Sequence, residues 1–194
     1  MNKDIKYKNI SFNQVYSIPN ILCYIRIILI PIFIYVYANA KNEVDYYLAA
    51  AIIFLSGVTD FCDGFIARKF NQVTELGKLI DPIADKLTQS AIIVPLIFKF
   101  NWIFFFVILF LIKELSMLIN GVILLKKGKK LDGAMWFGKV STAVFYFSTF
   151  IIILFPMLDL VVVNILMIIS AFFMALSFIM YMIEYVKMYR DIKR

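Results

Sequence analysis

Four aspartates with helix-compatible spacing interrupt an otherwise apolar sequence: Asp60, Asp63, Asp81 and Asp85. The chain contains no histidine, which removes the commonest metal ligand and general base. Carboxylate oxygens suit hard divalent cations such as Mg²⁺, Mn²⁺ or Ca²⁺. A magnesium ion held by a few carboxylates usually takes substrate phosphates as further ligands. The pattern therefore predicts a metal-bridged phosphate or diphosphate site.

The first aspartate pair lies on one face of a predicted helix. At roughly 100° per residue, Asp63, Gly64, Ala67 and Arg68 all fall on the side of Asp60. Gly64 leaves room for a ligand where a side chain would block it. Arg68, one turn later, supplies a cation for phosphate. Close packing of the glycine and a membrane-anchoring role for the arginine remain alternatives.

The second pair, Asp81 and Asp85, also shares a helix face because the residues are four apart. Gly77 lies one turn earlier. Asp81 precedes Pro82 and could also cap a helix that begins at this proline, a role that is compatible with metal binding. A short connection makes the two aspartate-bearing helices antiparallel neighbours, so we expect the two carboxylate pairs to face each other.

The elements that carry these residues are predicted to be membrane spans. The chain has 194 residues, 63% of them hydrophobic, and a mean hydropathy of +0.87. A spanning helix needs roughly 20 apolar residues, and a charged aspartate at mid-bilayer costs roughly 2.5–3.5 kcal/mol, so the four acids must line a polar cavity. The fold class is all-α integral membrane protein, with six transmembrane helices at 19–40, 45–67, 80–100, 102–125, 134–157 and 160–186.

Residues 1–17 are too polar to span and form a cytoplasmic segment, as a short interfacial helix or a disordered tail. Residues 18–194 form one six-helix domain. Cations alternate along the connections, with "KKGKK" at 126–130 and several lysines and arginines at both ends. This places both termini and the aspartates on the cytoplasmic side. The formal charge of +7 lies beside apolar spans, which favours anionic lipid and excludes nucleic acid as partner.

The spacing as a whole resembles the signature of the CDP-alcohol phosphatidyltransferase family. The chain reads Asp60-x-x-Asp63-Gly64-x-x-Ala67-Arg68, eight residues, Gly77-x-x-x-Asp81-x-x-x-Asp85. The resemblance implies that Asp60, Asp63, Asp81 and Asp85 hold Mg²⁺ or Mn²⁺, with two ions per site. It implies that Asp85 is also the general base. It further implies a homodimer in the cytoplasmic membrane, and contacts to CDP-diacylglycerol from the remaining motif positions Gly64, Ala67, Arg68 and Gly77, and from Thr74.

The first span, "IPNILCYIRIILIP", adds two candidates, Asn20 and Arg26. Asn20 is expected to help hold the nucleotide lipid. Cys23 stands where the family usually has threonine or serine; with Cys62, it is interpreted as a small buried residue and not as a zinc ligand. Arg26 is expected to face the cavity and an anionic head group, or alternatively to pair with a buried acid.

The acceptor alcohol is less clearly encoded. "WFGKVSTAV" in the fifth span resembles a pattern of bacterial phosphatidylglycerophosphate synthases, and its Lys139 is a candidate for binding glycerol-3-phosphate. In the fourth span, Lys113 and Glu114 are adjacent, a spacing that predicts no ion pair between them. We expect phosphatidyl transfer to glycerol-3-phosphate with release of CMP. The alternative is a CMP-forming cardiolipin synthase that uses phosphatidylglycerol.

Two other classes of protein could place aspartates in a membrane. Intramembrane prenyltransferases bind Mg²⁺-diphosphate, but they usually have more spans and a different aspartate spacing. A divalent-cation channel or carrier could use an acidic cavity. Metal flux into liposomes without CMP release would identify the latter.

Overall fold

The computed structural model describes residues 16–70, 72–74, 76–100, 103–129 and 135–193, and within these ranges all regular structure is α-helical. The predicted interfacial helix at the N-terminus lies outside the described residues. The helices of the described chain are α1 Ile18–Ala38, α2 Glu43–Lys69, α3 Gly77–Lys99, α4 Ile103–Lys126, α5 Trp136–Leu154 and α6 Leu160–Lys193. Each overlaps one of the six predicted spans.

Five of these helices are long and apolar enough to cross a membrane: α1, α2, α4, α5 and α6. The chain is therefore a multi-pass membrane protein. The exception, α3, has 23 residues, but its first turns carry Asp81, Asp85 and Lys86. The uninterrupted apolar run of α3 begins only at Ala91, so the charged residues that suggest chemistry also make α3 a weaker candidate for a membrane span.

Local hydrogen bonds define where the aspartate-bearing helices begin. At the start of α2, Asn42 and Asp45 form a capping box, in which Asp45 Oδ2 accepts the Asn42 backbone N–H at 3.1 Å. At the start of α3, Thr74 Oγ1 accepts the Gly77 backbone N–H at 2.9 Å. Because α3 begins at Gly77, Asp81 lies in its second turn. The alternative in which Asp81 caps a helix at Pro82 is therefore wrong.

Two compact units divide the chain, residues 1–95 and residues 96–194. In the first unit, α1 packs along α2. The buried stripe of α2 repeats every three or four residues, and small residues within it let the helices approach closely. The stripe consists of Ala49, Ala50, Ile53, Ser56, Thr59 and Asp63. Asp63 thus continues the packing face of α2, which explains why it is the most buried of the four aspartates.

In the second unit, α6 packs against α4 and α5. Tyr181 and Tyr185 of α6 are buried with Leu124 of α4 and Phe137 of α5. The Tyr181 hydroxyl accepts the Met135 backbone N–H at 3.2 Å, which ties α6 to the start of α5. This contact satisfies a backbone donor that the first turn of a helix leaves free.

Candidate active site

The four aspartates lie on the facing ends of α2 and α3. The Asp63 side chain is 5% exposed, whereas the side chains of Asp60, Asp81 and Asp85 are 48%, 47% and 39% exposed. One carboxylate therefore points into the packed interior, and three remain open to ligands. This half-open arrangement suits a site that must admit a substrate.

The guanidinium of Arg26, on α1, lies between the two aspartate pairs. Its Nη2 is 2.7 Å from Asp60 Oδ1 and also contacts Asp63, while its Nη1 is 2.7 Å from Asp85 Oδ1. A longer contact of 3.4 Å joins Nη1 to Asp81. The side chain is only 1% exposed. In the structure, Arg26 contacts the aspartates. This matches the alternative interpretation, in which Arg26 pairs with a buried acid.

The donor set fits a divalent cation. One oxygen each from Asp60, Asp81 and Asp85 lies within 4.8 Å of the others, and Cys23 Sγ forms a second such group with Asp63 and Asp81. Three partly exposed carboxylates are the oxygen-rich ligand set that hard cations prefer. The described acids therefore could hold a divalent metal.

A cleft of about 120 Å³ adjoins the acids. Its walls come from α1, α2, the connection that follows α2 and the first turns of α3. The lining residues are Pro19, Asn20, Cys23, Asp63, Gly64, Ala67, Gln72, Val73, Thr74, Gly77 and Asp81. Seven of these are residues that the sequence marks as candidates. The start of α1 lies far from the aspartate motif in the chain. In the fold, both line the same cleft.

Gly77 is the tightest point of this wall. A Cβ atom there would lie 2.6 Å from Asn20 Oδ1 and 2.9 Å from Thr74 Oγ1. The Thr74 hydroxyl in turn donates a hydrogen bond to Asn20 Oδ1 at 3.2 Å. A side chain at position 77 would displace Asn20 or Thr74, so the glycine allows α1 and α3 to approach each other here.

Gly64 has more room. A Cβ atom there would lie 3.6 Å from Arg68 Nη2, an ordinary van der Waals distance. Arg68 is exposed, and its guanidinium lies near the surface left free by the glycine. Ala67 lines the cleft beside them. The missing side chain at Gly64 thus leaves an arginine next to the cleft.

Two residues in the cleft were not expected to take part in the site. Cys23 is buried, and its thiol donates a hydrogen bond to Asp63 Oδ2 at 3.2 Å. Gln72 lines the cleft, and its buried Oε1 has no hydrogen-bond partner within the described residues. The sequence hint for Cys23 was its place in the Asn20–Arg26 pattern. For Gln72 the sequence offers no hint, because the seven-residue connection between α2 and α3 does not reveal which side chain lies in the cleft.

The remaining candidate, Lys139, belongs to the second unit and is exposed on the first turn of α5. The preceding residue, Gly138, is buried against the Tyr181 ring, so its role there includes packing. On α4, Lys113 Nζ lies 3.5 Å from Glu114 Oε1. The prediction that these neighbours form no ion pair is wrong, because the long, flexible lysine side chain bends to the carboxylate of the next residue.

Comparisons with known proteins agree with the motif. The profile of the family described as CDP-alcohol phosphatidyltransferase matches residues 16–183. A protein of Rickettsia felis named CDP-diacylglycerol–glycerol-3-phosphate 3-phosphatidyltransferase is 44% identical over 85 residues, which cover 44% of this chain and 46% of that protein. The chain thus spans about half the length of this relative.

Two further relatives are matched over longer stretches. A protein of Aquifex aeolicus with the same name is 28% identical over 180 residues, covering 89% of this chain and 97% of the relative. A Mycobacterium tuberculosis protein named "Putative cardiolipin synthase" is 35% identical over 132 residues, covering 67% of this chain and 61% of the relative. Since the family profile spans most of the chain and includes the four aspartates, the chain belongs to the CDP-alcohol phosphatidyltransferase family.

Proposed function

We propose that this protein transfers the phosphatidyl group of CDP-diacylglycerol to glycerol-3-phosphate, forming phosphatidylglycerophosphate and releasing CMP. The observation that carries the proposal is the convergence of four carboxylates beside a cleft lined by Asn20, Thr74 and Gly77. The names of the Rickettsia and Aquifex relatives support glycerol-3-phosphate as acceptor.

The metal of the proposed site is Mg²⁺ or Mn²⁺, two ions held by Asp60, Asp63, Asp81 and Asp85. When bound, such ions neutralise the diphosphate and make CMP a better leaving group. The cleft beside the acids would take the nucleotide end of the lipid. Asn20, Gly64, Ala67, Thr74 and Gly77 form its walls, and the exposed Arg68 is close enough to place a positive charge beside a phosphate.

In this proposal, Asp85 is the base. Arg26 contacts its Oδ1, and its partly exposed carboxylate would accept the proton of the acceptor hydroxyl. The deprotonated oxygen then attacks the lipid-side phosphorus in line. One oxygen–phosphorus bond forms, the bond from that phosphorus to the oxygen of CMP breaks, and the proton remains on Asp85.

The membrane arrangement is part of the same proposal. Six spans, α3 among them, would place both termini in the cytoplasm and the aspartates at the cytoplasmic face of the cell membrane. CMP would then leave to the cytoplasm while the product lipid stays in the bilayer. A homodimer is the proposed assembly.

The test is an acceptor assay. Purified protein in detergent receives CDP-diacylglycerol, Mg²⁺ or Mn²⁺ and one acceptor at a time, and CMP is measured. Release with glycerol-3-phosphate is the expected result. Release only with phosphatidylglycerol would establish the second candidate, cardiolipin synthesis, which the name of the Mycobacterium relative favours. Absence of CMP with every acceptor would contradict both.

A further inference from the structure

One buried side chain connects both aspartate pairs. The Nη2 atom of Arg26 contacts Asp60 and Asp63 of α2, and its Nη1 atom contacts Asp81 and Asp85 of α3. A guanidinium is a planar fork of donors, so it can serve two helices at once, which a single ammonium cannot do as well. The α1 helix therefore supplies a permanent positive charge at the point where the four carboxylates meet.

The same carboxylates form the candidate metal group. Oxygens of Asp60, Asp81 and Asp85 lie within 4.8 Å of one another, and each of these residues contacts Arg26. Each carboxylate has only about four lone-pair positions for donors and metal together. A divalent cation that binds this group must share acceptors with the guanidinium and lie close to its charge.

We infer that Arg26 is an internal counter-cation that competes with the divalent metal for the four carboxylates. It lowers the metal affinity of the site, and it keeps α2 and α3 together when metal is scarce. This inference rests on the proposed metal dependence of the reaction. Arg26 is thus a positioning residue that acts through the acids.

Burial and charge explain why the competition persists. The Arg26 side chain is 1% exposed, so water cannot screen it from an ion among the same acids. Its guanidinium stays protonated under all ordinary conditions. Without it, the acids would repel one another across the α2–α3 boundary, and a buried charge that loses its partner is strongly destabilising. Arg26 therefore lowers the metal affinity of the site and stabilises the metal-free protein.

The experiment measures Mn²⁺ binding without substrate, by electron paramagnetic resonance of free Mn²⁺, on the full chain in detergent. The variants are Arg26→Gln, Arg26→Lys and, as a control, Lys69→Gln. Lys69 also carries a positive charge at the end of α2, but it lies over the rings of Phe65 and Phe70. Thermal unfolding with EDTA and with Mn²⁺ is the second measurement.

We expect Arg26→Gln to bind Mn²⁺ roughly tenfold or more tightly than the unaltered protein, because a nearby positive charge has been removed. It should unfold at a lower temperature in EDTA and gain more from Mn²⁺. Arg26→Lys should bind Mn²⁺ with an affinity between the two, and Lys69→Gln should match the unaltered protein in both measurements.

Equal or weaker Mn²⁺ binding by Arg26→Gln would overturn the inference, since weaker binding would make Arg26 a support for the metal. If Arg26→Gln folds only with Mn²⁺ present, metal replaces the arginine as counter-charge, as inferred. If it folds under neither condition, the Arg26→Lys variant decides the question. A Mn²⁺ affinity of Arg26→Lys no higher than that of the unaltered protein overturns the inference.

The Asp81→Asn variant tests the proposed metal site separately from the competition by Arg26. If it binds Mn²⁺ as well as the unaltered protein does, the metal site itself is wrong and the inference fails with it.

Discussion

The Thr74 hydroxyl lies 3.2 Å from the side-chain oxygen of Asn20, a residue 54 positions earlier in the chain. The same hydroxyl accepts the backbone N–H of Gly77 at 2.9 Å. One small side chain therefore caps α3 and joins its start to the start of α1. Because the cleft is lined by all three residues, its shape depends on this contact.

Gly77→Ala is expected to damage the cleft, whereas Gly64→Ala is expected to fold normally. The new Cβ at position 77 would lie 2.6 Å from Asn20 Oδ1, while at position 64 the nearest atom is 3.6 Å away. Overpacking of this kind costs about 1–3 kcal/mol. Thermal unfolding in detergent measures the difference, and equal melting temperatures for the two variants would contradict this account of Gly77.

Asp85→Asn is expected to lower CMP release by about 10²–10⁴-fold, because the amide cannot take the acceptor proton. Mn²⁺ binding should weaken, because Asp85 belongs to the candidate ligand group, but it should not be lost, since the other acids remain. CMP release and Mn²⁺ binding are measured on the same sample. Asp159→Asn is the control: Asp159 Oδ1 accepts the Val161 backbone N–H at 2.8 Å, a bond that the amide oxygen can also accept. Full turnover by Asp85→Asn would remove it from the role of base.

Cys23 is expected to give the site an affinity for soft metals. Its thiol belongs to a candidate ligand group with Asp63 and Asp81, and thiolates favour soft cations such as Cd²⁺. Titration with Cd²⁺ should produce the ultraviolet sulfur-to-cadmium band in the unaltered protein and in Cys62→Ser, but not in Cys23→Ser. An undiminished band in Cys23→Ser would exclude the thiol as a ligand.

Lys139→Gln is expected to raise the KM for glycerol-3-phosphate by about tenfold, equivalent to about 1.4 kcal/mol, with little change in kcat. The reason is the loss of a cation that the sequence marks as a candidate for binding the acceptor phosphate. Lys187→Gln is the matched control, because Lys187 pairs with Glu184 at 3.1 Å on an exposed surface. If the KM is unchanged in Lys139→Gln, the acceptor phosphate is bound by other residues.

The helices were the most predictable part of the fold. Apolar runs of span length appear directly in the sequence, and each run overlaps a helix of the described chain. Helix ends depend on single hydrogen bonds and were harder to predict. Thr74 caps α3, and an argument from the Asp81–Pro82 pair placed the start of that helix too late.

Neighbouring positions along one helix could be assigned because the 100° rotation per residue relates them directly. This rotation places Asp60, Asp63 and Gly64 on one face. It does not specify flexible side chains: Lys113 reaches Glu114 at 3.5 Å although the backbone directions diverge. Periodicity determines where a Cβ points and not where a long side chain ends.

The sequence by itself determined the apolar helices, the aspartate motif and the family, because these depend on composition and on spacing along the chain. Only the tertiary structure decided what lies opposite the aspartates. It placed Arg26 between both carboxylate pairs, Cys23 against Asp63, and Asn20 against Thr74. Such contacts join residues far apart in the chain, and helix packing, not local spacing, sets which side chains meet.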